Sequence, residues 1–294
     1  MPGFVVEGGV LHNEQVNATA AVVGQNRFCI AMFTGKLLRL AELLALIHDD
    51  MPGPPPHEAY PDGVEARAEA EWGLLIGQTL RHEAGHIANG HVEYGMSKAL
   101  TTLDRQLLEA DADSYAARVL ACGFTGIQQS DVGTEFRIPE GMPLDVVAYR
   151  TELLGAVLYT NFRVAEELAP SPFPVTGEIT PSFHPPPIVR IWLLGSLLAT
   201  MFASFDEPVR NHLISAFLKG ALLREKALAY KQERPFDVQL PRATSSVGVW
   251  RYGATLINHW NTVRPELMPF KRTPGQLAAA QDYPMDPPPG WTHP

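Results

Sequence analysis

The chain has 294 residues, 46% of them hydrophobic and 19% charged, an ordinary globular composition. Its net charge of −9 argues against a nucleic-acid partner, which would require a basic face. Two cysteines, Cys29 and Cys122, are too few for a disulfide framework, and each lies in an apolar segment as a small buried hydrophobe.

Met1 to Glu7 lacks the basic-then-apolar pattern of a signal peptide. Residues 4–10 and 15–33 carry the β signal, with Gly24, Gln25 and Asn26 as a turn. Residues 35–48 read as an amphipathic helix, buried through Leu37, Leu38, Leu40, Leu43, Leu44 and Leu46. The Pro-rich stretch 49–63, with His57, cannot be helical and reads as a surface loop. A long helix over 64–94 follows, charged from Glu65 to Glu71 and apolar from Trp72 to Leu80, so it enters the core just before His82. The next helix has Thr101 or Thr102 as its N-cap and Gly123 as the residue past its end.

Beyond a 123–143 connection, helix resumes over 144–169, and a second Pro-rich segment spans 170–187. The most apolar run, Ile191 to Ala203, is shorter than the about 20 residues of a membrane span and reads as a core helix. No membrane span and a cytoplasmic location are therefore expected. Residues 207–231 and 248–263 are further helices, the first with Lys219, Arg224, Lys226 and Lys231 on a wet side. Residues 284–294 form a Pro-rich tail. The fold class is α+β, mostly α, with a small N-terminal sheet.

The chemistry concentrates in His82-Glu83-Ala84-Gly85-His86. Residues four apart lie on nearly one face of a helix, so His82 and His86 can converge on one ion. Glu83 lies roughly 100° round from His82, displaced from the ligand position but able to reach a water on the ion. Glu109 and Asp113 are again four apart on the following helix. Glu109 can complete a His-His-Glu set with a fourth position open, the mark of a catalytic rather than a structural zinc. Asp113 can accept from the free ring nitrogen of a ligand histidine. Asp111, about 200° from Glu109, is expected to be solvated. On a continuous helix His91 points about 180° from His82 and is not expected to be a ligand. The metzincin pattern fails, because Asn89 and Val92 stand where it requires Gly and His.

These motifs resemble the gluzincin peptidases, a group that includes HtpX-like proteases, CAAX prenyl proteases and minigluzincins. The likeness rests on Val16 to Ala20, Arg27 to Ile30, Thr34 to Leu38, His82 to His86 with His91, Glu109 to Asp113, and His184 to Ile191. It spans roughly residues 14–200, and the zinc motifs are its specific part. The resemblance implies a zincin-like metallopeptidase domain over 1–205, with 49–63 as an insertion. Residues 206–283 would be a helical extension packed on it. It also places the 170–187 loop near the metal. His184 then has two functional readings, oxyanion stabiliser or removable latch on the metal. Its plain reading is a histidine held by hydrogen bonds ahead of a helix. Arg190 either anchors that loop through a carboxylate or lies on the surface.

The expected activity is zinc-dependent endopeptidase, with Glu83 as general base and a peptide or protein as substrate. The rival is a silent or partner-gated binding protein on the same fold, its cleft plugged by 49–63. An intact Glu83 opposes that rival, since a silent protein has no chemical need of it.

Overall fold

The computed structural model describes residues 5–15, 17–48, 64–129, 136–168, 177–233, 246–272 and 282–289. The Pro-rich stretch 49–63 with His57, residues 169–176 and the end of the tail lie outside them. In order the elements are β1 (Val5–Leu11), β2 (Ala18–Gly24), β3 (Arg27–Phe33), α1 (Thr34–His48) and α2 (Val64–Ala88). Then come α3 (His91–Ser97), α4 (Thr102–Thr125), the short strands β4 (Gln128–Gln129) and β5 (Phe136–Arg137), and α5 (Leu144–Leu168). The last are α6 (Pro187–Met201), α7 (Glu207–Lys231) and α8 (Val247–Leu267). The protein is mostly helical with one three-stranded sheet, as the sequence predicts.

The sheet order is β1-β3-β2, with β1 parallel and β2 antiparallel to β3. Asn26 takes a left-handed φ of 54° in the turn between β2 and β3, a conformation asparagine tolerates. β3 is central and buries Phe28, Ile30 and Met32; Phe28 and Ile30 pack with Ile87 of α2. This packing leaves β2 as the edge strand beside α2.

The helices enclose one continuous apolar core running from Leu40 of α1 through Leu75, Leu154 and Leu194 to Phe217 of α7 and Tyr252 of α8. That core crosses residue 205 without interruption. Leu38, expected inside, is 64% exposed. The 18-residue stretch Pro187–Ser204 is long and apolar enough to cross a membrane, and 61% of it is buried in this fold.

The most intimate helix pair is α5 against α7. Gly155 and Gly220 let their backbones touch: a Cβ at Gly220 would lie 1.8 Å from the Glu152 carbonyl oxygen, and one at Gly155 2.0 Å from that of Phe217. Arg224 does not lie on a wet side. It is buried and ion-pairs with Glu71 of α2, which Arg67 also holds at 3.0 Å. Its neighbour Glu225 accepts from the Tyr159 hydroxyl at 2.7 Å. The charge of Arg224 reaches the interior because a carboxylate of α2 meets it there, and a helical wheel contains no such information.

Gly220→Ala is expected to lower stability by about 3 kcal/mol, because overpacking meets backbone rather than a movable side chain. The same change at exposed Gly73, which has nothing within 4 Å, is expected to be neutral or slightly stabilising. Thermal unfolding of the two variants checks the difference.

Candidate metal centre

α2 presents His82, Glu83 and His86, and α4 lies along it with Gly85 against Ala112. The start of α4 is fixed by a capping box. Thr101 Oγ1 accepts from Asp104 N at 3.1 Å, and Asp104 accepts from Thr101 N at 2.9 Å. The helix runs past Gly123 and ends at Gly126, where φ is 82°. A single exposed glycine costs a helix only about 1 kcal/mol, and buried Ala121 and Thr125 hold the turn around it.

The two helices bring His82, His86 and Glu109 together as a group that could hold a metal ion. His82 Nε2 lies 3.2 Å from His86 Nε2 and 3.2 Å from Glu109 Oε2. Glu109 Oε1 is 3.5 Å from His86 Nε2. Donors about 2.0–2.1 Å from a tetrahedral ion stand about 3.3–3.4 Å from one another, so the spacing fits a single ion. Glu109 Oε2 is buried and makes no hydrogen bond among the described residues. It lies 3.2 Å from His82 Nε2 and 3.2 Å from His184 Nε2. An acceptor orphaned at the centre of a donor cluster fits a cation.

Each histidine of the group is held from behind. Asp113 lies 2.9 Å from His82 Nδ1 and takes a bidentate grip from Arg190, at 2.6 and 2.7 Å. Arg190 is therefore buried and bound to a carboxylate, and it stacks 3.9 Å from the Phe162 ring centroid. His86 Nδ1 lies 2.9 Å from His91 Nδ1, and His91 Nε2 lies 3.0 Å from Asp111 Oδ2. Asp111 is not left to solvent: it also accepts from Asn89 Nδ2 at 2.6 Å. The carboxylate requires the proton on His91 Nε2, so His91 Nδ1 accepts and His86 Nδ1 donates. That tautomer turns the His86 Nε2 lone pair toward the donor cluster.

This relay exists because the helix predicted over 64–94 breaks. Gly90 takes φ 80°, and α3 starts afresh at His91. His91 lies outside the His82, His86 and Glu109 group, and it begins a new helix rather than continuing α2. The Asn89-Gly90 pair is the turn signal in the sequence.

Glu83 is buried and shares with His82 and His86 the wall of a cavity of about 450 Å³. The β2 edge from Asn17 to Ala20, Lys36, Asn161 and Phe183 form its other walls. Asn17 Oδ1 accepts from the next backbone N–H at 2.9 Å, a local cap at the start of the edge. His184 reaches the same cavity, its Nε2 3.2 Å from Glu109 Oε2. Its loop is clamped from two helices. Gln106 Nε2 of α4 donates to Thr180 O at 3.0 Å and Ser182 O at 2.7 Å. Tyr252 of α8 donates to Gln106 Oε1 at 2.6 Å and lies 3.0 Å from Thr180 Oγ1. The phenol has one proton, so the Thr180 hydroxyl donates in that contact. No sequence pattern signals this clamp or Lys36's place on the wall.

Burial pushes His82 down, but its hydrogen bond to Asp113 and the adjacent Glu109 carboxylate prevail and raise it to about 10. Burial drives His86 to about 3, helped by the fields of His82 and His91. Burial raises Glu83. It opposes ionisation of Glu109 too, yet His184 and His86 hold that carboxyl well below the usual range. For Asp113 the same opposition is overcome by Arg190 and His82.

Comparisons with protein-family models, with curated proteins and with solved structures each gave no match.

Elemental analysis of purified wild type is expected to find about one metal ion per chain, lost in Glu109→Ala. His91→Ala should bind that metal roughly 10–100-fold more weakly, because His86 loses its orienting acceptor. Competitive titration with a chelator measures this, and unchanged affinity would reduce His91 to a packing role.

Proposed function

We propose that the protein is a zinc-dependent endopeptidase of the gluzincin class, on a zincin-like fold, acting on peptide or protein in the cytoplasm. The observation that carries the reading is the convergence of His82, His86 and Glu109 with Glu83 beside them on one cavity wall. Two histidines and a carboxylate leave one position of a tetrahedral zinc open, the arrangement of a catalytic site. When bound, the ion would supply Lewis acidity, polarising a carbonyl and making water nucleophilic near neutral pH.

Glu83 takes the proton from the attacking water and passes it to the leaving amine as the C–N bond breaks. Water thus adds across one amide, and carboxylate and amine leave. Enclosure raises the Glu83 carboxyl, which helps it hold that proton between the two steps. His184 is half-buried on the cavity side of the clamped loop, suited to donate to the oxygen that becomes negative. The β2 edge, unpaired on its outer side among the described residues, offers backbone groups to an extended peptide.

Glu83→Gln is expected to retain the metal and to lose hydrolysis by about 10²–10⁴-fold. Zinc-loaded wild type and variant are incubated with a proteome-derived peptide library, and new termini are read by mass spectrometry. Equal cleavage by both removes Glu83 from the role of base. No wild-type cleavage at full zinc content removes the endopeptidase reading.

A further inference from the structure

Lys36 enters the cavity from the first turn of α1. A cation there faces the positive end of the helix dipole, which is unfavourable by about 0.3–1 kcal/mol, so helix stability does not explain it. It is only half-buried by accessible surface, yet protein encloses its ammonium enough to lower its pKa. Both hold for a group that opens onto a cavity rather than onto bulk water.

Lys36 makes no hydrogen bond or ion pair among the described residues. The charged groups acting on it are Glu83, then Arg190, Glu109 and Asp113. Each carboxylate is otherwise engaged. Glu109 faces His82, His86 and His184, Asp113 holds Arg190 and His82, and Glu83 is the proposed proton carrier. At the mouth stands a second cation without a carboxylate, exposed Arg105, 5.8 Å from the centroid of Phe183. The chain as a whole carries −9, so these two cations on one cavity do not follow from bulk composition.

From this placement we infer that Lys36 is a substrate-anchoring residue that pairs with a carboxylate of the bound peptide beside the scissile bond. The inference rests on the peptidase reading for the word substrate, though the carboxylate site itself does not. An enclosed ammonium with no partner gains most from an anion that enters with the ligand, since the protein has already borne its desolvation. Two sources supply that chemistry: an Asp or Glu side chain, or the peptide's own C-terminus.

The test uses the full chain carrying Glu83→Gln, with and without Lys36→Met, which keeps an apolar stem of similar length. The probes are N-acetylglutamate α-amide, with only a side-chain carboxylate, and N-acetylglutamine, with only an α-carboxylate. Isothermal titration is expected to show one probe binding the Lys36 protein and at least tenfold weaker binding after Lys36→Met. The probe that binds identifies the source. Binding of neither probe, or equal binding with and without Lys36, overturns the inference.

In the peptide library, zinc-loaded protein with Glu83 intact is expected to favour an acidic group at one position flanking the cut. Lys36→Met should bring that preference toward one. Equal loss on acidic and neutral peptides would instead assign Lys36 to oxyanion stabilisation and overturn the anchoring role. Lys36-dependent probe binding without any cleavage would keep the carboxylate site and remove the peptidase.

Discussion

The Asp113 carboxylate is the contact on which the site's geometry depends. It is buried, and both oxygens are occupied by Arg190 and His82. Burying a carboxylate and a guanidinium costs several kcal/mol for each ion, and a bidentate pair with a third partner is among the few arrangements that offset it. The return is positional. Through one side chain, α4 fixes the His82 ring on α2 and the start of α6, and with α6 the His184 loop that precedes it. Phe162 of α5 closes the face of the guanidinium, so four helices meet at one ion pair.

On the other side the same device recurs with an extra link. His86 is held by His91 and His91 by Asp111, so each imidazole of the group ends on a carboxylate of α4. The spacing of Glu109, Asp111 and Asp113 serves both. A wheel drawn at 100° per residue sends Asp111 away from Glu109, and that direction is correct. Its inference of solvent fails because the helix breaks at Gly90 and Asn89 and His91 reach Asp111 from either side of the break.

This difference marks what the sequence could disclose. Elements appeared where periodicity is local: the hairpin turn at Asn26, α1, α5, and α7 with both ends placed. The His82, His86 and Glu109 group was legible because each half lies within one helix, at i and i+4. Arg224, read as solvated, was not, since its partner Glu71 lies 153 residues away in sequence. Nor was the clamp on the His184 loop, which joins Gln106 to Tyr252 across 146 residues. Such pairs are settled by which helix faces lie together, and polar residues on a helix carry no record of that. The C-terminal helices contribute Phe217 and Tyr252 to the core, and Tyr252 to the clamp.

A cluster of histidines and carboxylates can also be closed by protons alone, and the distances bear on the choice. A proton on His82 accounts for its contacts with Asp113 and with neutral His86. It does not account for Glu109 Oε2, which sits 3.2 Å from both His82 and His184 and bonds to neither. The two imidazoles part for different reasons: burial lowers His86, while contact with Asp113 and Glu109 outweighs burial at His82 and raises it. A divalent cation at the centre meets His82, His86 and Glu109 at once. Two imidazole nitrogens and a carboxylate within reach of one point are donors such a cation takes, so the group could hold a metal ion.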